Sequence, residues 1–98
     1  MKIIKDTELN YSNGDRILEG DNVELEYMRQ GGGAMPDKVK GIIAYKNAAF
    51  YIVGEDWEKT LSSILENNAQ APHKYPMFIT KIINLTLQKI ASRLKSMS

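Results

Sequence analysis

The chain has 98 residues, 43% of them hydrophobic and 26% charged, which predicts one folded domain with one small core rather than a disordered chain. It has no cysteine, so a disulfide framework, a thiolate metal site and a cysteine nucleophile are excluded. The net charge of +1 conceals a split: residues 1–66 hold all 12 acids against eight bases, and residues 67–98 hold five bases and no acid.

In chain order, the start Met1-Lys2-Ile3-Ile4-Lys5-Asp6 lacks a signal-peptide core, which predicts a cytoplasmic protein. Asn13-Gly14-Asp15 is a turn signal, because Asn and Gly tolerate positive φ. A short strand over residues 16–19 and a second tight turn at Gly20-Asp21 should follow. Val23, Leu25 and Tyr27 then alternate with Glu24, Glu26 and Met28, the period-2 signature of a half-buried strand with one acidic face. Gly31-Gly32-Gly33 through Pro36-Asp37 reads as a flexible connection. Residues 38–45 and 49–53 are rich in β-branched and aromatic side chains, which predicts a hairpin joined at Lys46-Asn47. The longest apolar run, Ala48-Ala49-Phe50-Tyr51-Ile52-Val53, lies here and is too short to cross a bilayer, so no membrane partner is expected. Short strands separated by turns suggest a small barrel or sandwich rather than a βαβ unit.

The second half changes period. Glu55, Asp56 and Glu58 suit a first helical turn, where the helix dipole favours acids. Trp57, Leu61, Ile64 and Leu65 follow at the spacing of an amphipathic helix, predicted over about residues 55–67. The polar stretch 67–76, with Pro72 and Pro76, ends it. A second amphipathic helix is predicted over about residues 78–97. Its stripe, Ile83, Leu87, Ile90, Leu94 and Met97, has heptad spacing and spans a sector of roughly 80°. Lys81, Lys89, Arg93 and Lys95 lie opposite. Ile82 and Leu85 fall on the basic side, so residues 77–83 fit either a buried helix start or a strand.

Chemistry-bearing groups are sparse. His73, the single histidine, sits in a polar loop with no local partner to orient it for a triad or a metal site. Asp15, Glu19, Asp21, Glu24 and Glu26 are dense but do not follow the alternate-ligand pattern of a calcium loop. The Gly31–Gly33 run lacks the Gly-Lys-Ser/Thr helix start of a phosphate-binding loop. Tyr11, Tyr27, Tyr45, Tyr51, Tyr75, Phe50 and Trp57 are not interleaved with Lys or Arg as a base-stacking platform would be. No catalytic residue, cofactor or metal is expected, and the chain is predicted not to be an enzyme.

The stretch Leu-Asn-Tyr-Ser-Asn-Gly-Asp-Arg-Ile-Leu-Glu-Gly-Asp-Asn-Val-Glu-Leu-Glu-Tyr, residues 9–27, resembles the opening of YopX-type proteins of phages and prophages of Gram-positive bacteria. The matching elements are the Asn13-Gly14 turn, Ile17-Leu18-Glu19-Gly20-Asp21 and a strand from Asn22-Val23. Further on, Gly41-Ile42-Ile43-Ala44-Tyr45 and Phe50-Tyr51-Ile52-Val53 resemble a later strand pair of that family. The resemblance covers roughly half the chain, and its C-terminal helix departs from the family's closing strand. It implies a small SH3-like antiparallel β-barrel over about residues 2–53, in a phage-related cytosolic accessory protein without an established catalytic residue.

The expectation is thus an α+β fold in a single domain, residues 1–98, with a barrel part (1–54) and a helical part (55–98). Three functions follow. In the first, the chain is a non-enzymatic accessory module of a phage or mobile element that binds protein or forms a homo-oligomer through Ile83, Leu87, Ile90, Leu94 and Met97. In the second, Lys81, Lys89, Arg93 and Lys95 contact nucleic acid. In the third, the acidic strand face around Glu24 and Glu26 inhibits a basic host protein.

Overall fold

The computed structural model describes residues 4–27, 37–70, 76–82 and 88–97. The elements run β1 (Asp6–Asn10), β2 (Arg16–Leu18), β3 (Asn22–Tyr27), β4 (Asp37–Lys46), β5 (Ala49–Val53), β6 (Glu58–Thr60), α1 (Leu61–Ala69), β7 (Phe78–Lys81) and α2 (Gln88–Met97). Five strands form one antiparallel sheet in the order β6-β5-β4-β3-β7, while β1 and β2 form a separate two-stranded ribbon.

Residues opposite one another in register share a face of the sheet. Val23 lies opposite Gly41, Leu25 opposite Val39 and Ile79, and Ile43 opposite Ile52. These make the first face, buried beneath Tyr11 and Ile17 from the ribbon and Leu61 and Ile64 from α1. Ile42 and Val53 on the second face, with Ala44, are covered by Ile90, Ala91 and Leu94 of α2. The molecule therefore has three layers, with the sheet in the middle. Residues 41–44 of β4 are all buried, which is why Gly-Ile-Ile-Ala reads as a continuous apolar run rather than an alternating one.

The Gly20-Asp21 turn fastens the ribbon to the sheet. Asp21 N–H donates to Leu18 O at 3.1 Å, and Gly20 takes φ +93°, a conformation that a Cβ opposes. Gly20 N–H then donates to Ile43 O at 2.8 Å, and Ile43 N–H to Asp21 O at 2.9 Å. One Asp21 carboxylate oxygen accepts from Leu18 N–H at 3.0 Å and from the Tyr11 hydroxyl at 2.7 Å. The predicted turn at Asn13 and Gly14 also forms: Gly14 N–H donates to Tyr11 O, and the Asn13 side chain accepts from Asp15 N–H.

Three expectations are corrected. The sheet is open and ends at β6 and β7, so there is no SH3-like barrel among the described residues. A barrel of this size buries one face of its strands inside. Here β4 is apolar on both faces, and an open sheet lets α1 with the ribbon cover one and α2 the other. The first helix begins at Leu61, not at 55: residues 58–60 pair with β5 as β6, and Glu55 and Asp56 occupy the turn before it. Thr60 starts the helix, its hydroxyl accepting from Ser63 N–H at 3.2 Å. The second helix does not begin at 78: residues 78–81 pair with β3 as an edge strand, so that part of the ambiguous stretch is strand, and the described helix is Gln88–Met97.

Candidate binding cleft

An open cleft of about 500 Å³ lies on the first face of the sheet. Leu25, Tyr27 and Val39 form its floor, Trp57 and Lys59 one wall, and Met77 the other. Two local devices set the walls. Gly54 N–H donates to Trp57 O at 2.8 Å, closing a two-residue loop of Glu55 and Asp56 between β5 and β6. The Trp57 indole lies in the space that a Cβ on Gly54 would fill, so glycine is what allows the ring to pack against the backbone there. Opposite, the Asn68 side-chain amide imitates a strand partner: its oxygen accepts from Met77 N–H at 2.7 Å and its nitrogen donates to Met77 O at 3.0 Å.

The mouth carries Asp56 and Glu58. A smaller hollow of about 220 Å³ lies between the ribbon, α1 and β7. Leu65 and Phe78, each 49% exposed, stand at its rim.

The residues picked out by sequence are dispersed. Ile90, 5% exposed, and Leu94 pack against Ile42, Ala44 and Val53 of the same chain, so this part of the stripe covers its own sheet and not a second copy. Ile83, Leu87 and the side chain of Met97 lie outside the described residues, as do the side chain of Lys89, His73 and Gly31–Gly33. Lys81 is on β7, its ammonium 3.9 Å from Asp21. Arg93 turns inward and donates to Gly54 O at 2.8 Å and Trp57 O at 2.7 Å, with Glu58 at 3.5 Å. Lys95 is exposed in the last turn of α2. Across the strands, Glu24 faces Lys40 and Glu26 faces Lys38, with 3.8 Å between the latter pair's charges. The acidic strand is thereby balanced by its neighbour.

Other features emerge only from the fold. At the tip of the β4–β5 hairpin, Lys5 sits 4.6 Å over the Tyr45 ring and Lys46 4.9 Å over Tyr51, while Tyr45 meets Phe50 edge to face at 4.9 Å. These cations lie on the chain's own aromatic rings, and Lys46 also pairs with Glu58 at 2.6 Å. Burial pushes the Tyr11 phenol well above the ordinary tyrosine value, and its hydrogen bond to Asp21 and that carboxylate's charge add to the effect. Among the described residues no group of three or more His, Asp or Glu side chains could hold a metal ion, and no helix is long and apolar enough to cross a membrane. Sequence reasoning placed Trp57 in a helical stripe. The usable signal was Gly54 followed by two acids, a two-residue loop between β-formers.

Comparison with protein-family models, curated proteins and solved structures finds no match.

Proposed function

We propose that this chain is a non-enzymatic binding module that receives an apolar segment of a protein partner in the cleft beside Trp57. The observation that carries the reading is the cleft itself, a solvent-open hollow floored by Leu25, Tyr27 and Val39 and walled by a half-buried tryptophan. Desolvated pockets with an aromatic wall concentrate binding energy at protein interfaces. Asp56 stands exposed beside the cleft that it helps to line, which favours a partner carrying a basic residue next to its apolar anchor. A cytoplasmic accessory role in a phage or mobile element rests on the likeness of residues 9–27 to YopX-type proteins. The absence of cysteine and the single histidine support a role without catalysis. Self-association through the C-terminal stripe has less support, since Ile90 and Leu94 are spent on the chain's own sheet.

A randomised peptide library selected on the immobilised protein tests the reading. Enrichment of peptides that pair a large apolar residue with Lys or Arg is expected, at least about tenfold weaker on a Val39→Glu variant that keeps the native circular dichroism, since a buried charge without a partner costs more than 1.4 kcal/mol. No enrichment, or enrichment indifferent to Val39→Glu, would overturn it.

A further inference from the structure

Arg93 connects two features on opposite faces of the sheet. Its helix, α2, lies on the second face, where Ile90 and Leu94 pack against Ile42, Ala44 and Val53. Trp57 lines the cleft on the first face. Between them is the β5–β6 turn, whose closing residues are Gly54 and Trp57. One nitrogen of the Arg93 guanidinium donates to the carbonyl oxygens of both closing residues, at 2.8 and 2.7 Å. A second nitrogen, Nη2, is 3.5 Å from Glu58, the first residue of β6. The turn is thus held from one side by a cation and from the other by the indole lying on Gly54.

We infer that Arg93 is a latch: docking of α2 on one face sets the β5–β6 turn and with it the position of Trp57 on the other. Trp57 O also accepts the Gly54 N–H that closes the turn, and the cationic donor shared by Trp57 O and Gly54 O binds them more strongly than a neutral one would. When α2 lifts, both carbonyls lose this partner together, the turn loosens, and the Trp57 wall of the cleft becomes mobile. A ligand that needs Trp57 in place then favours the docked helix, and a ligand that needs it displaced favours the undocked one. This last consequence rests on the binding reading above; the latch itself does not.

Trp57 is the single tryptophan, so its fluorescence reports the turn directly. In Arg93→Met, acrylamide quenching of Trp57 should rise about twofold and its emission shift to the red, with amide protection at Ile43 and Ile52 unchanged, as expected of a local rather than a global opening. Glu58→Gln, which leaves both carbonyl bonds intact, should quench like the native protein. Unchanged Trp57 quenching in a folded Arg93→Met protein would overturn the latch. Should that variant not fold, the native protein in rising urea decides. Below the global transition, with the amides of Ile43 and Ile52 still protected, exchange of the amides of residues 91–94 and quenching of Trp57 must increase together. Release of α2 with an unaltered Trp57 signal, or no rise of either before global unfolding, refutes the coupling. Failure of peptide selection leaves these readouts unaffected, so the two ideas fall separately.

Discussion

Tyr11 and Asp21 show how much one side-chain pair can organise. Tyr11 is 6% exposed and gives its hydroxyl proton to Asp21, whose same oxygen also holds Leu18 N–H. The phenol's pKa is raised in the fold, whereas in the unfolded chain it is about 10. A group whose folded value is the higher one contributes its full stability below the unfolded value. Above about pH 10 the unfolded state gives up a proton that the folded state keeps, so stability falls as pH rises. Urea unfolding at pH 8 and pH 11 should show a steeper alkaline loss in the native protein than in Tyr11→Phe. The Gly20-Asp21 turn and the alternation of Val23 and Leu25 could be read from sequence because glycine and period-2 burial leave local marks. The Tyr11–Asp21 bond leaves none: tyrosine next to a turn gives no sign of where its hydroxyl goes.

At the scale of elements, the hairpin of β4 and β5 was visible in its β-branched residues, but the strain at its tip was not. Asn47 and Ala48 both take positive φ, 51° and 61°, the conformation demanded by a two-residue hairpin loop. Asparagine tolerates it and alanine does not. Replacing Ala48 with glycine should therefore stabilise the protein by about 1 kcal/mol, read as a higher urea midpoint with an unchanged slope. The start of α1 at Leu61 rather than at 55 has a related reason. Glu55, Asp56 and Glu58 resemble a helical first turn by charge alone, yet pairing of Glu58 with Val53 and of Thr60 with Tyr51 outweighs a local electrostatic preference worth only tenths of a kcal/mol. Phe78, Ile79 and Thr80 are strand-formers, and their contacts with β3 decide what the helical spacing of Ile79 and Ile83 leaves ambiguous.

For the molecule as a whole, two of the five bases in the acid-free C-terminal third meet acids of the same chain. Lys81 approaches Asp21 and Arg93 approaches Glu58, so bases of the C-terminal third meet acids of the first two thirds. The apolar stripe of α2 follows the same logic, meeting the second face of the sheet through Ile90. Ile90→Asp should destabilise the protein by about 3 kcal/mol or more, because it places an unpaired carboxylate against Ile42 and Val53. The loss should show as early exchange of the amides of residues 88–97 in hydrogen-exchange mass spectrometry. The stripe was evident in the sequence, but which surface it meets was not, because heptad spacing looks the same whether the partner is a sheet or another helix.

The strand order also implies a history for each molecule. β3, β4 and β5 are neighbours in both chain and space, and the β4–β5 hairpin closes over only Asn47 and Ala48, at low entropic cost. β7 returns to β3 from more than fifty residues away, the one long closure in the sheet. A nucleus built on the β4–β5 hairpin places Ile43 and Ile52 in the transition state and leaves Ile79 to join afterwards. Truncating the former should slow folding, while truncating the latter should hasten unfolding.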